Sequence, residues 1–182
     1  MKAGVQQLAF LTAGMLLAVS RLQAQGAEFS LGAGVGVPLG TYNDVVKMGW
    51  QATGAVSFAP GSLPVAIQLD GSYSQFSDET PFDIKNQLMY GTANAVYRLQ
   101  SAEDRQFGPY VIAGVGVYHS KETGNDALGG SATKFGLNAG AGLDFKAGRA
   151  GLFLESRFHN VFTDGPNVKF IPLNLGIRFG GR

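Results

Sequence analysis

The chain has 182 residues and a formal net charge of +1 at pH 7, with 14 basic and 13 acidic side chains. Charged residues make up 15% of the chain, against roughly 25% in ordinary soluble domains, and no basic surplus indicates a nucleic-acid partner. Cysteine is absent from the sequence, which excludes a disulfide scaffold and thiolate metal sites.

The first predicted element is an apolar run at the N-terminus. Lys2 precedes the 12-residue run "LAFLTAGMLLAV", and a short polar stretch leads to Ala24. This order is typical of a secretory signal peptide, and the run is shorter than the roughly 20 residues of a membrane-spanning helix. A short buried helix is the alternative interpretation. We expect residues 1–24 to be a signal peptide, with a cut after Ala24 or Gly26, and residues 27–182 to form one domain.

Eight segments of alternating hydrophobicity follow. Most have 9 to 14 residues, which is long for globular strands, and we place them at 29–37, 48–58, 64–76, 87–99, 107–119, 133–146, 150–161 and 170–179. Globular strands have a mode of about 5–6 residues, whereas a tilted strand needs about 9–11 to cross a bilayer. The lengths therefore predict transmembrane strands.

The connections between these segments alternate in length. Those after the second, fourth and sixth segments are compact: "APGSLP", "QSAEDRQ" and "AGR". The other four are mostly longer and more polar: "PLGTYNDVVK", "SDETPFDIKN", "SKETGNDALGGSA" and "FTDGPNVK". Short turns at one end and long loops at the other are typical of membrane barrels with an even number of strands. Both ends of the domain would then lie at the short-turn end.

The sixth segment, "FGLNAGAGLDF", shows how the two faces of a strand differ. Its odd positions are apolar, and its even positions are Gly136, Asn138, Gly140, Gly142 and Asp144. Successive side chains of a strand point to opposite faces, and strand glycines indicate a close approach on their side. We predict that the apolar face meets lipid and that the glycine face lines a narrow lumen. The fourth segment is ambiguous, and we place Asn94 and Arg98 inward.

Aromatic residues occupy the ends of several segments. We interpret seven of them as interfacial girdles on the outer surface, with ordinary core aromatics as the alternative: Trp50, Phe58, Phe76, Phe107, Phe145, Phe162 and Phe170. Three others share the inward parity and are expected to fill the lumen: Tyr110, Tyr118 and Phe153.

The segment "LESRFHNVF" places Glu155, Arg157 and His159 on one face of a strand. Charges in a low-dielectric interior must be paired. We therefore predict a polar network in the lumen, and its members are Asp70, Arg98, Asp144, Glu155, Arg157 and Arg178.

Other chemistry is weakly indicated. The two histidines, His119 and His159, lie on different strands, so we predict no metal site. The run "GAGVGVPLG" lacks the G-x-G-x-x-G order and leads into no helix, so we predict no phosphate loop or cofactor. The acidic stretch "SDETPFD" is interpreted as a solvated loop, with a calcium site as the alternative.

The stretches "FGPYVIAGVGVYHS", "FGLNAGAGLDF", "LFLESRFHNVF" and "IPLNLGIRFGGR" resemble the small outer-membrane β-barrel family of OmpA transmembrane domains, OmpX and opacity proteins. The resemblance covers residues 27–182 and implies an all-β, eight-stranded, antiparallel up-and-down transmembrane barrel. It also implies contact with outer-membrane lipids and lipopolysaccharide. The last strand resembles the signal read by the barrel-insertion machinery, through Asn174, Gly176 and Phe179, but it ends on "GGR" instead of an aromatic residue.

Some outer-membrane barrels are lipid A deacylases with a serine two residues after a histidine. The corresponding position after His159 is Val161, so we expect no enzyme. We expect a monomeric, integral outer-membrane protein that acts as an anchor and presents loops for adhesion or interaction. A small pore or solute-binding barrel is the alternative. A soluble exported barrel of lipocalin type, with its apolar face inside, is the third hypothesis.

Overall fold

A computed structural model describes residues 26–43, 46–59, 64–77, 85–99, 107–123, 130–148 and 150–180. The predicted signal peptide, residues 1–24, lies outside the described residues, as do residues 78–83 of the acidic stretch. Among the described residues, no helix is long and apolar enough to span a membrane.

The fold is a single sheet of eight strands. In chain order they are β1 (Glu28–Leu39), β2 (Gly49–Phe58), β3 (Ala66–Ser77), β4 (Lys85–Arg98), β5 (Phe107–Thr123), β6 (Ser131–Ala147), β7 (Ala150–Val161) and β8 (Val168–Gly180). A 3₁₀ turn, Gly40–Tyr42, follows β1.

Each strand runs antiparallel to its sequence neighbours, and β1 pairs with β8 to close a barrel. The β1–β8 ladder runs from Glu28↔Gly180 to Leu39↔Lys169. Closure leaves no open sheet edge, which is the condition for a sheet to cross a hydrocarbon layer. The predicted eight-stranded up-and-down barrel is confirmed.

The fifth and sixth strands extend further than the alternation predicts. Both have 17 residues, and their ladder continues to Lys121↔Ser131 at the long-loop end. The prediction ended the fifth strand at residue 119, where regular apolar alternation stops. Pairing outside the membrane needs no apolar face, so hydrophobicity does not mark this end of the hairpin.

The apolar faces of the strands point out of the barrel. Leu175 is 61% exposed, whereas Tyr110 on the inner face is fully buried. In β4, Thr92 and Asn94 are buried and Ala93 is exposed, which confirms the inward placement of Asn94. The lipocalin-type hypothesis is wrong, because it required the apolar face to lie inside.

The girdle prediction is wrong for two of its seven aromatics. Phe76 and Phe170 are completely buried inside the barrel. Both have the inward parity of their strands, so side-chain alternation decides their direction more strongly than their position near a strand end. The other five are exposed near the two rims of the barrel: Trp50, Phe58, Phe107, Phe145 and Phe162.

Glycines on the inner face make room for large side chains from neighbouring strands. A Cβ atom on Gly142 would overlap the ring of Tyr110, and one on Gly176 would overlap Phe153. Tyr110 is paired with Gly142, and Phe153 with Gly176, in adjacent strands. The glycine face therefore gives the barrel an interior that accommodates aromatic rings.

Candidate functional site

The lumen contains three groups of inward-facing side chains, stacked from the short-turn end to the long-loop end. The basal cluster consists of Glu28, Arg98, Asp144 and Arg178. The central cluster consists of Asp70, Tyr110, Glu155 and Arg157. The aromatic cluster consists of Phe76, Tyr90, Tyr118, His159 and Phe170.

Arg157 holds the central cluster together. Its Nη1 lies 2.9 Å from Asp70 Oδ2, and its Nη2 lies 2.7 Å from Glu155 Oε1. Asp70 also accepts hydrogen bonds of 2.7 Å from Thr92 Oγ1 and from Asn94 Nδ2. All three charged groups are buried. Each therefore has the partners that a charge in a low-dielectric interior requires.

The narrow bore explains how this cluster forms. Glu155 and Arg157 are two residues apart on β7 and share its inner face, whereas Asp70 lies on β3. A barrel of about eight strands has an interior just wide enough for side chains to fill it. An arginine from one wall therefore reaches a carboxylate that comes from a distant strand.

Tyr110 links the central and basal clusters. Its hydroxyl donates to Glu155 Oε2 at 2.8 Å and accepts from Arg178 Nη2 at 2.7 Å. The guanidinium of Arg178 lies 4.9 Å from the centre of the Tyr110 ring and 4.8 Å from that of Phe153. These distances are typical of cation–π contacts.

The basal cluster is wetter than the central one. Arg178 contacts Asp144 at 3.1 Å and Glu28 at 3.2 Å, and Arg98 contacts Glu28 at 2.9 Å. The side chains of Arg98, Glu28 and Asp144 are 35%, 26% and 23% exposed. Water therefore screens part of this cluster, and its ion pairs are individually weaker than those of Arg157.

The structure brings the six sequence-predicted residues into these two clusters. Three lie in the central cluster: Asp70, Glu155 and Arg157. Three lie in the basal cluster: Arg98, Asp144 and Arg178. Sequence reasoning missed Glu28 and the hydroxyl of Tyr110. Glu28 shares the parity of the buried Ser30, which was the available signal, but the predicted strand began one residue later.

A separate polar group lies between the central and aromatic clusters. The Gln51 side chain donates to Asn174 Oδ1 at 3.1 Å. Its Oε1 accepts from Ser74 Oγ and from the Tyr90 hydroxyl, both at 2.8 Å. Four strands contribute to this group, so it cross-links the barrel wall without using charge.

The aromatic cluster closes the long-loop half of the bore. His159 is buried, stacks on Phe170 with 4.7 Å between ring centroids, and has Nδ1 2.8 Å from the Tyr118 hydroxyl. Tyr42 and Val46, which follow β1, are also buried and pack on this cluster. The side chains of Tyr42 and Val46 therefore cover the aromatic cluster at the mouth of the barrel.

Within the described parts of the chain, no group of three or more His, Asp or Glu side chains is placed to hold a metal ion. His119 lies apart from His159, with its Nδ1 2.9 Å from Thr133 Oγ1.

A cavity of about 330 Å³ opens at the long-loop end, and we call it the vestibule. It lies beside Tyr118 of the aromatic cluster. Its lining consists of Tyr42, Asn86, Leu88, Tyr118, Ser120, Ala132, Lys134, Val161, Thr163, Asp164 and Val168.

Comparison with known proteins agrees with this architecture. Residues 9–179 match the family described as the outer membrane protein beta-barrel domain. The chain belongs to this family. The protein is therefore located in the outer membrane. In outer-membrane barrels generally, the short turns lie on the periplasmic side and the long loops lie outside, and we name the two ends of this barrel accordingly.

Solved structures show the same fold. Neisserial surface protein A has a TM-score of 0.67 and 14% identity, over 85% of this chain and 97% of that one. The N-terminal barrel of Pseudomonas aeruginosa OprF has a TM-score of 0.53 and 17% identity, over 85% and 98% of the two chains. A major outer membrane protein of Thermus thermophilus has a TM-score of 0.53 and 15% identity, over 84% and 98%. No curated protein matches the chain by sequence.

Proposed function

We propose that the protein is a non-enzymatic, monomeric anchor whose barrel is plugged by its own side chains and whose extracellular loops make its contacts. The observation that carries this proposal is the filled interior. Arg157 is paired with carboxylates from β3 and β7, and Phe76 and Phe170 are completely buried above it. A barrel filled in this way positions loops and conducts no solute.

A small pore or solute-binding barrel is the second candidate. The partial exposure of Arg98, Glu28 and Asp144 favours entry of water from the periplasmic side. That water would meet Tyr110 and the central cluster, which are buried. The plugged barrel is therefore the better-supported proposal.

The environment of His159 supports a non-enzymatic role. Its ring is buried in the bore, stacked on Phe170 and bonded to Tyr118. Val161, two residues along, has no nucleophilic atom and is also buried. A lipid substrate outside the barrel has no route to this imidazole, because the wall of the sheet lies between them.

Two exposed lysines support contact with lipopolysaccharide. Lys121 lies near the extracellular end of β5, and Lys169 lies at the corresponding end of β8. Ammonium groups at this level can pair with the phosphates of outer-leaflet lipids. We also propose that the insertion machinery reads Asn174, Gly176 and Phe179 in β8.

Shortening the loops one at a time, and then all together, tests this proposal. Each long connection is replaced by a short Gly-Ser turn, and cells displaying the variants are tested for adhesion to host cells and matrix proteins. We expect every variant to keep its heat-modifiable gel mobility and at least one to lose adhesion.

Unchanged adhesion in the variant that lacks all four long loops would contradict the proposal. A second contradictory result would be release of acyl chains from lipopolysaccharide by the wild type but not by His159→Ala.

A further inference from the structure

The vestibule has an apolar floor and a polar rim. Leu88, Tyr118 and Val161 are buried in the floor, and Val168 packs beside them. Asn86, Ser120 and Lys134 lie higher, on the inner faces of β4, β5 and β6. An apolar cavity with a few converging polar groups is the usual form of a small-molecule site.

The rim carries one ion pair. Lys134 Nζ lies 2.5 Å from Asp164 Oδ2. The Lys134 side chain is 29% exposed and forms part of the wall, whereas the Asp164 side chain is 93% exposed. Ion pairs between exposed groups contribute little, because water solvates both charges well. Asp164 can therefore turn into solvent and leave the ammonium of Lys134 facing the vestibule.

We propose that the vestibule binds a small amphipathic organic anion, with its carboxylate on Lys134 and its apolar body on the floor. Lys134 is the cation among the described lining residues, and Asp164 occupies the position that the ligand carboxylate takes. Ser120 and Asn86 add a hydroxyl and an amide that can bond the second carboxylate oxygen.

The volume limits the size of the ligand. A cavity of about 330 Å³ equals the volume of roughly eleven waters at about 30 Å³ each. A ligand of about ten non-hydrogen atoms, such as an aromatic carboxylate, fills it. A cationic ligand is disfavoured. Its only charged partner in the vestibule lining would be Asp164, whose exposed carboxylate retains most of its hydration.

Methyl NMR of the barrel in lipid nanodiscs tests the proposal, with phenylacetate as the probe. We expect saturable shifts at the methyl groups of Leu88, Val161 and Val168, which line the vestibule. The methyl groups of Leu173 and Leu175 are exposed on the outer wall and report non-specific partition into lipid. Phenethylammonium has a similar body and the opposite charge, and we expect it to bind at least tenfold more weakly.

Four variants separate charge from shape. Lys134→Gln is expected to weaken phenylacetate binding about tenfold, since it removes a charged hydrogen bond. Asp164→Asn is expected to tighten binding about twofold to threefold, since it removes the competing carboxylate. Ala132→Phe keeps both charges and fills the cavity, so it should abolish binding. Lys121→Gln removes a positive charge at the same end of the barrel but outside the vestibule lining, so it is the control and should leave the affinity for phenylacetate unchanged.

Four results would overturn the proposal. They are equal shifts at the outer-wall methyl groups, equal affinity for phenethylammonium, wild-type affinity in the Lys134→Gln variant, and wild-type affinity in the Ala132→Phe variant, which would show that the anion lies elsewhere.

Discussion

The two halves of the lumen are closed by different physical means. The periplasmic half contains the central and basal clusters, in which four carboxylates meet three guanidinium groups: Glu28, Asp70, Asp144, Glu155, Arg98, Arg157 and Arg178. The extracellular half contains stacked rings and neutral hydrogen bonds. Both halves bury large side chains, but among the described residues only the periplasmic half buries charged ones.

This difference determines how each half responds to damage. Loss of one partner from a buried ionic cluster leaves an uncompensated charge, whose cost depends on the partners that remain. Loss of a ring leaves a cavity, whose cost depends on its volume. The periplasmic half should therefore show strong coupling between residues, and the extracellular half should show losses that follow side-chain size.

We expect the largest effect from Arg157→Ala. The substitution removes the cation that bonds both Asp70 and Glu155, and it leaves Glu155 with only the more distant Arg178, whose Nη2 lies 4.0 Å from Glu155 Oε2. Loss of one partner from a buried pair typically costs about 3–5 kcal/mol in the free energy of unfolding. Urea unfolding in lipid vesicles, followed by the fluorescence of Trp50, the single tryptophan, measures the loss.

The Glu155→Ala variant is the matched comparison for Arg157. It should lose less stability, because Arg157 keeps its bond to Asp70. The double variant Glu155→Ala/Arg157→Ala should lose less than the sum of the two single changes. Strict additivity would show that the central cluster does not act as a unit.

Phe170→Ala should produce the next largest effect, about 3 kcal/mol, by leaving a cavity in the aromatic cluster. Phe170 is completely buried and stacks on His159. The same unfolding assay measures the loss of stability. Phe170→Leu is the control, because it leaves a smaller cavity and should lose less stability. A loss that is the same for alanine and leucine would contradict closure by packing.

Gly142→Ala should lower the free energy of unfolding by about 1–3 kcal/mol, because the added methyl group overpacks against the ring of Tyr110. The hydroxyl of Tyr110 joins the central and basal clusters. Gly71→Ala is the control, because a Cβ atom there would meet nothing within 4 Å. The difference between the two midpoints of unfolding isolates the steric effect. Equal midpoints would mean that inner-face glycines are not needed for aromatic packing.

Tyr118→Phe should have the smallest effect, about 1 kcal/mol, because it removes one hydrogen bond to buried His159 and keeps the ring. Tyr73→Phe, which removes a partly buried hydroxyl bonded to Gln75 at 3.3 Å, serves as its control in the same assay. A larger loss for Tyr73 than for Tyr118 would reverse the expected order.

Much of this architecture could be predicted, because a strand has a period of two and the barrel has one apolar side. That period placed Leu175 outside and Arg157 inside. The girdle interpretation was wrong for Phe76 and Phe170. It relied on residue type and on position near a strand end, although the parity of both residues already indicated the inner face. Pairing the six charged residues followed from parity and from the cost of an isolated buried charge.

Other features lie outside the predicted strands or depend on closure of the barrel. Tyr42 and Val46 follow the first strand, and nothing in a connecting segment indicates that its side chains fold back over the mouth. Glu28 lies at the first residue of β1, where strand boundaries are uncertain by a few residues. The partner of each arginine also depends on barrel closure, which sets strands such as β3 and β7 across the bore from each other.

Single-channel recording of the wild-type protein in planar lipid bilayers tests the central claim most directly. A porin reconstituted in the same lipid shows that channels are detectable. Because the central cluster and the aromatic cluster both block the bore, we expect no steady open level for the wild type. A stable, ohmic current carried by correctly folded wild-type barrels would show that water and ions pass both clusters, and it would contradict the plugged lumen.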